Sequence, residues 1–90
     1  RGVGSCALEF ALRRAFEELA AHRAFLEVRE DNVAMRALAE RFGFVQEGTY
    51  RDGFFDERTQ TFHNLCPYGL LENDYRRRVA ESAGIIHPRS

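Results

Sequence analysis

Between Ser5 and Phe44 the apolar residues form two stripes at helical spacing with one short alternating run between them. This constrains the fold more than any other feature. Leu8, Leu12, Ala15, Phe16 and Leu19 share one face, and Glu9, Arg13, Arg14, Glu17 and Glu18 fall mainly on the other. The spacing predicts a helix over residues 5–21, with Ser5 as its N-cap and His22-Arg23 closing it at the negative end of the dipole. Ala24 to Arg29 alternates and then turns polar, as a short strand does. Asp31 or Asn32 is placed to cap a second helix running to about Phe42, striped by Met35, Leu38 and Phe42. Gly43 is its expected left-handed terminator.

Beyond it, Phe44 to Tyr50 reads as a strand extended to Arg51, and Gly53 to Gln60 as a polar turn. Thr61 to Leu71 reads as the return strand, with Pro67 marking a bulge or a local loss of pairing. Glu72 to Ser82 is polar and reads as a short helix, and residues 83–90 as a flexible tail. The fold class is therefore α/β: helix, strand, helix, strand, strand, with a final antiparallel hairpin. Residues 1–82 make one small domain or part of one.

Charge and cysteine usage exclude several functions. The net charge of −1 supplies no basic field for nucleic acid. All 13 basic residues are arginine, which reads as codon bias. Cys6 and Cys66 lie far apart without metal-ligand spacing, which suits a reducing cytoplasm and argues against a zinc site. No apolar run is long enough to span a membrane.

The chain opens on Arg1-Gly2-Val3-Gly4-Ser5, two alternating glycines leading into the first helix. Glycine leaves room for close backbone approach, and a helix start offers unpaired N–H groups. Together they suit a phosphate or another anion. The plainer alternative is a lead-in whose glycines only turn the chain.

Three segments, in order, resemble the GNAT acetyltransferase superfamily. Gly2-Val3-Gly4 before a helix is similar to the end of that family's acetyl-CoA pyrophosphate loop. The motif's leading basic residue would precede this chain. Asn32-Val-Ala-Met-Arg-Ala-Leu-Ala-Glu-Arg-Phe-Gly-Phe44 resembles the asparagine-led helix ending in Glu-Lys/Arg-x-Gly-Phe. Phe62-His63-Asn64 through Tyr68-Gly69-Leu70-Leu71 resembles the closing strand of the branch that acetylates ribosomal-protein N-termini and similar amines. The likeness spans residues 1–78 and implies the C-terminal half of a GNAT-like domain.

The resemblance implies an acetyl-CoA-dependent N-acetyltransferase acting on a primary amine, either a protein N-terminus or a small amine. Amides of Gly2, Val3, Gly4 and Ser5 would hold the pyrophosphate, and Asn32 would reach the pantetheine arm while also capping its helix. Many members carry a leaving-thiolate acid, a tyrosine, at the position of Ala39, so no catalytic residue is carried over. The implied partners are acetyl-CoA, the amine, and either a second copy or the missing N-terminal half. The rival expectation is a non-catalytic remnant that pairs through an exposed strand edge along Ala24–Arg29. With the first strands of the family's sheet missing, the piece by itself is expected to self-associate, exchange strands or partly unfold, and to bind acetyl-CoA weakly or not at all.

The other reactive residues read as structure first. His63 is a tempting acid–base group, but a strand histidine beside Asn64 is more often structural. Tyr50 and Tyr68 read as packed rings with one wet end, and Cys6 and Cys66 as buried fillers. Arg76-Arg77-Arg78 reads as a solvated helix end. Phe10, Phe16, Phe25, Phe42 and Phe44 read as core.

Overall fold

A computed structural model describes residues 2–82. Its order is helix α1 (Gly2–Arg13), a π-helical turn (Arg14–Glu18), strand β1 (Arg23–Arg29), helix α2 (Val33–Arg41), strands β2 (Val45–Gln46), β3 (Tyr50–Asp56) and β4 (Thr61–Leu71), and helix α3 (Glu72–Ser82). This is the expected mixed α/β order. The expected tail over residues 83–90 lies outside the described residues. Two compact units result: residues 2–24 with 70–82, and Phe25–Gly69.

In the first unit the helix starts at Gly2, so Ser5 lies inside its first turn and is not the N-cap. The regular helix also ends early. Leu19 N donates to Arg14 O and Ala21 N to Ala15 O, each a wider step than an α-helix makes. Ala20 then takes a positive φ of 55°. His22-Arg23 therefore does not close the helix, because β1 has already begun at Arg23.

The core of this unit is Leu12, Phe16, Leu70 and Tyr75. The Phe16 and Tyr75 rings stack at 4.8 Å. Tyr75 OH donates to Glu17 Oε2 at 2.7 Å, and Arg76 Nη2 to Phe16 O at 3.2 Å. Arg76 also pairs with Glu72, and Arg77 with Asp74, so these two arginines serve helix α3.

In the second unit β4 is the organising strand. β1 lies beside it, while β2 and β3 pair antiparallel with successive stretches of it. The core is Val28, Ala39, Phe42, Phe44, Cys66 and Tyr68. Asn32 caps α2 as expected, its side chain accepting from Met35 N at 3.1 Å. Gly43 terminates it at φ 96°.

The expected strand Phe44–Tyr50 is two strands with a break over residues 47–49. Pro67 stands opposite that break, and its carbonyl takes Glu47 N–H at 2.8 Å. The proline thus sits where the neighbouring ladder is already interrupted, as its missing donor requires. The first half of the expected turn Gly53–Gln60 is strand, because β3 continues to Asp56 and pairs Phe55 with Phe62 and Phe54 with His63, and only residues 57–60 turn. The irregular register falls between Tyr50 and Phe54 instead. There Asp52 takes φ 53° and donates its N–H to Asn64 Oδ1 at 2.9 Å.

Burial corrects four further expectations. Phe10 and Phe25 are exposed, not core, and Cys6 is exposed while Cys66 is buried. Tyr68 has no wet end; it is wholly buried.

Candidate functional site

The expected cofactor residues fall on two elements, one in each unit. Gly2, Val3, Gly4 and Ser5 form the first turn of α1. N–H groups of a first turn have no carbonyl within the helix to bond. No acidic residue stands in this turn to repel an anion. Asn32 stands at the start of α2 and is exposed. Its side-chain oxygen is engaged by Met35 N–H, so the cap uses the acceptor and leaves the amide Nδ2 as a donor. A cap and a ligand contact are therefore compatible in one side chain.

The junction carrying Asn32 is braced from behind. Arg36 on α2 donates to Glu30 O at 3.0 Å, to Tyr68 OH at 3.1 Å and to Gln46 Oε1 at 3.2 Å. Tyr68 OH in turn donates to Glu40 Oε2 at 3.2 Å. The bond it donates to Tyr68 raises the pKa of Arg36. One guanidinium thus ties the end of β1, the helix and β4 together. Sequence reading missed Arg36, because nothing in its spacing marks an arginine on the half-buried face of a helix.

A second polar cluster joins β1 to the β3–β4 hairpin. Arg29 donates to Asp31 through Nε at 3.1 Å and Nη2 at 2.8 Å, and to Asp56 through Nη1 at 2.9 Å. These bonds, Asp31's first, raise the Arg29 pKa. The same guanidinium holds both carboxyls below their ordinary range. Asp56 is buried, although the sequence places it in a polar turn. His63 stands beside this pair, half-buried. Tyr50 is half-exposed.

Ala39, the position of the family's tyrosine, is wholly buried in the core of its unit. Its carbonyl accepts from both Phe42 N and Phe44 N. The structure thus gives this position a packing role.

Comparison with known proteins bears on the family and the fold. Residues 1–44 match the model of the acetyltransferase (GNAT) family. The putative ribosomal N-acetyltransferase YdaF of Bacillus subtilis (strain 168) is 33% identical over 75 residues, covering 83% of this chain and 40% of the relative. A solved spermidine N-acetyltransferase from Vibrio cholerae, described as dodecameric, superposes with a TM-score of 0.80 at 27% identity. It covers 87% of this chain and 44% of that one. A solved probable acetyltransferase is 34% identical with a TM-score of 0.75, over 81% of this chain and 40% of the other.

The α/β architecture with its antiparallel sheet is that of the GNAT fold. The chain belongs to the GNAT acetyltransferase superfamily. It spans less than half the length of these relatives.

Proposed function

We propose that this chain supplies the C-terminal part of an acetyl-CoA-dependent N-acetyltransferase whose acceptor is a primary amine. The observation that carries the reading is the glycine-bearing first turn of α1, free of acidic residues, inside the stretch that matches the family. Backbone N–H groups of Gly2, Val3, Gly4 and Ser5 would bind the pyrophosphate, where the helix dipole favours negative charge. The Asn32 amide would donate to a carbonyl of the pantetheine arm. The amine nitrogen forms its bond to the acetyl carbon as the carbon–sulfur bond breaks, and CoA leaves as the thiol. The names of the relatives, a ribosomal and a spermidine N-acetyltransferase, support an amine acceptor of protein or polyamine type. We place the reaction in the cytoplasm, where Cys6 and Cys66 would stay reduced.

Gly4→Val tests the site. Valine raises helix propensity over glycine, so a loss of binding would not come from a lost helix. In the complete domain, acetyl-CoA affinity should fall about tenfold, or ~1.4 kcal/mol, by calorimetry, with unchanged helical circular dichroism. Unaltered affinity would remove the assignment.

A second reading has its own observation. β1 is an edge strand among the described residues, and Phe25 on it is exposed. An interaction module would associate through that edge, with a second copy or another chain, and take up no acetyl-CoA. Sedimentation with and without acetyl-CoA separates the two readings.

A further inference from the structure

The acetyl-transfer reading leaves His63 without a task, but its neighbours assign it one. It lies on β4 opposite Phe54 of β3. Its Nε2 is 3.2 Å from Arg29 Nη2 and 2.8 Å from Thr61 Oγ1. Its Nδ1 is 3.7 Å from Asp31 Oδ2. A guanidinium has donors and no acceptor. An Nε2–H would set donor against donor there, so the approach of Nη2 favours a bare lone pair on Nε2. The single ring proton then sits on Nδ1, facing Asp31. The Thr61 hydroxyl shares that one lone pair with Arg29, and it is itself 2.6 Å from Thr59 Oγ1.

Arg29 is the hub of the cluster. Besides Asp31 and Asp56 it packs over the Phe54 ring at 5.5 Å. Asp56 ends β3, takes the Arg58 N–H on Oδ1 at 2.9 Å and has the Arg58 guanidinium 3.8 Å from Oδ2. The end of β1, the lead-in to α2 and the far end of the hairpin thus meet on one guanidinium. Within this set only the imidazole belongs to a side-chain type that ordinarily changes charge between about pH 5 and 8.

We propose that His63 is a proton-sensitive latch holding the Asp56–Thr61 end of the hairpin to β1. Neutral, it accepts from Arg29 and completes the cluster. A proton on Nε2 turns that acceptor into a donor aimed at another donor and sets cation against cation. Thr61 can reverse and accept from the new N–H, so the ring follows Thr61 and leaves Arg29. The imidazolium also competes with Arg29 for Asp31. Arg29 keeps Asp56, loses His63 and shares Asp31, so local opening of the hairpin end becomes more frequent.

Two measurements test this. Ring nitrogen chemical shifts at about pH 7.5 should show Nδ1 protonated and Nε2 bare. An Nε2–H tautomer would overturn the proposal and needs no variant to detect. Amide protection at Arg58 and Gln60, relative to Phe42 and Phe44, should fall about threefold between about pH 7.5 and about pH 5.5. His63→Gln keeps an acceptor for Arg29 but does not titrate, so its step should vanish. A flat wild-type profile, or the same step in H63Q, would overturn the latch. If H63Q does not fold, the wild-type tautomer and profile decide alone.

Discussion

Ala39→Tyr introduces the tyrosine that the family resemblance implies at this position, and the structure says it harms this chain. Ala39 has no exposed surface, so a phenol ring must displace its neighbours. Overpacking a full core costs about 1–3 kcal/mol. A hydroxyl buried without a partner adds about 1–3 kcal/mol. Rotating the end of α2 to escape would endanger the two bonds at the Ala39 carbonyl, from Phe42 N and Phe44 N. The expected loss is therefore about 2–6 kcal/mol, comparable with the whole stability of a small domain. Urea unfolding of the variant beside Ala39→Ser measures it. Serine adds one small polar atom that can bond back to the helix, so its loss should be much smaller. A tyrosine variant as stable as the parent would mean that the position faces a cleft. The same variant gaining acetyl transfer would restore the family's acid to it.

Other outcomes follow from the same contacts. Burial, aided by Glu17, pushes the Tyr75 phenol from 10.0 up to about 12. Its stabilisation is thus complete below pH 10.0 and lost as pH rises toward 12, and Tyr75→Phe should flatten that alkaline limb in thermal melts. Asp31 and Asp56 bind protons more weakly than the ordinary 3.8 because Arg29 donates to both. Their stabilisation is present above that value and lost as pH falls below it. Asp56→Asn should remove part of this acid limb, and an unchanged limb would deny the ion pair its role. Ala20→Gly relieves a left-handed alanine and should raise the unfolding free energy by up to about 1 kcal/mol, read as a higher urea midpoint at constant m; a fall would refute the strain.

The second helix and its stop are legible in the sequence because their signals are local. Asn32 caps the helix that begins one residue later, and Gly43 turns the chain just beyond it. Both effects act over a few bonds of backbone. The two glycines pointed to the first turn of α1 for the same reason, although the helix takes them in and leaves Ser5 no capping duty. The family likeness rested on such local segments, and it placed the chain correctly.

What only tertiary structure decided depends on partners distant in sequence. β3 continues past Gly53 because Phe54 and Phe55 meet His63 and Phe62 across the hairpin, which no reading of residues 53–60 alone reveals. Phe10 and Phe25 match buried phenylalanines in type and differ from them only in what surrounds them. Asp56 looks like a turn carboxylate until Arg29, twenty-seven residues away, is set 2.9 Å from it. Ala39 is conspicuous in the sequence as a missing tyrosine, yet packing alone shows that no room is left for one. Propensity and capping are properties of a short stretch of chain, whereas burial and charge pairing are properties of the space that distant stretches enclose.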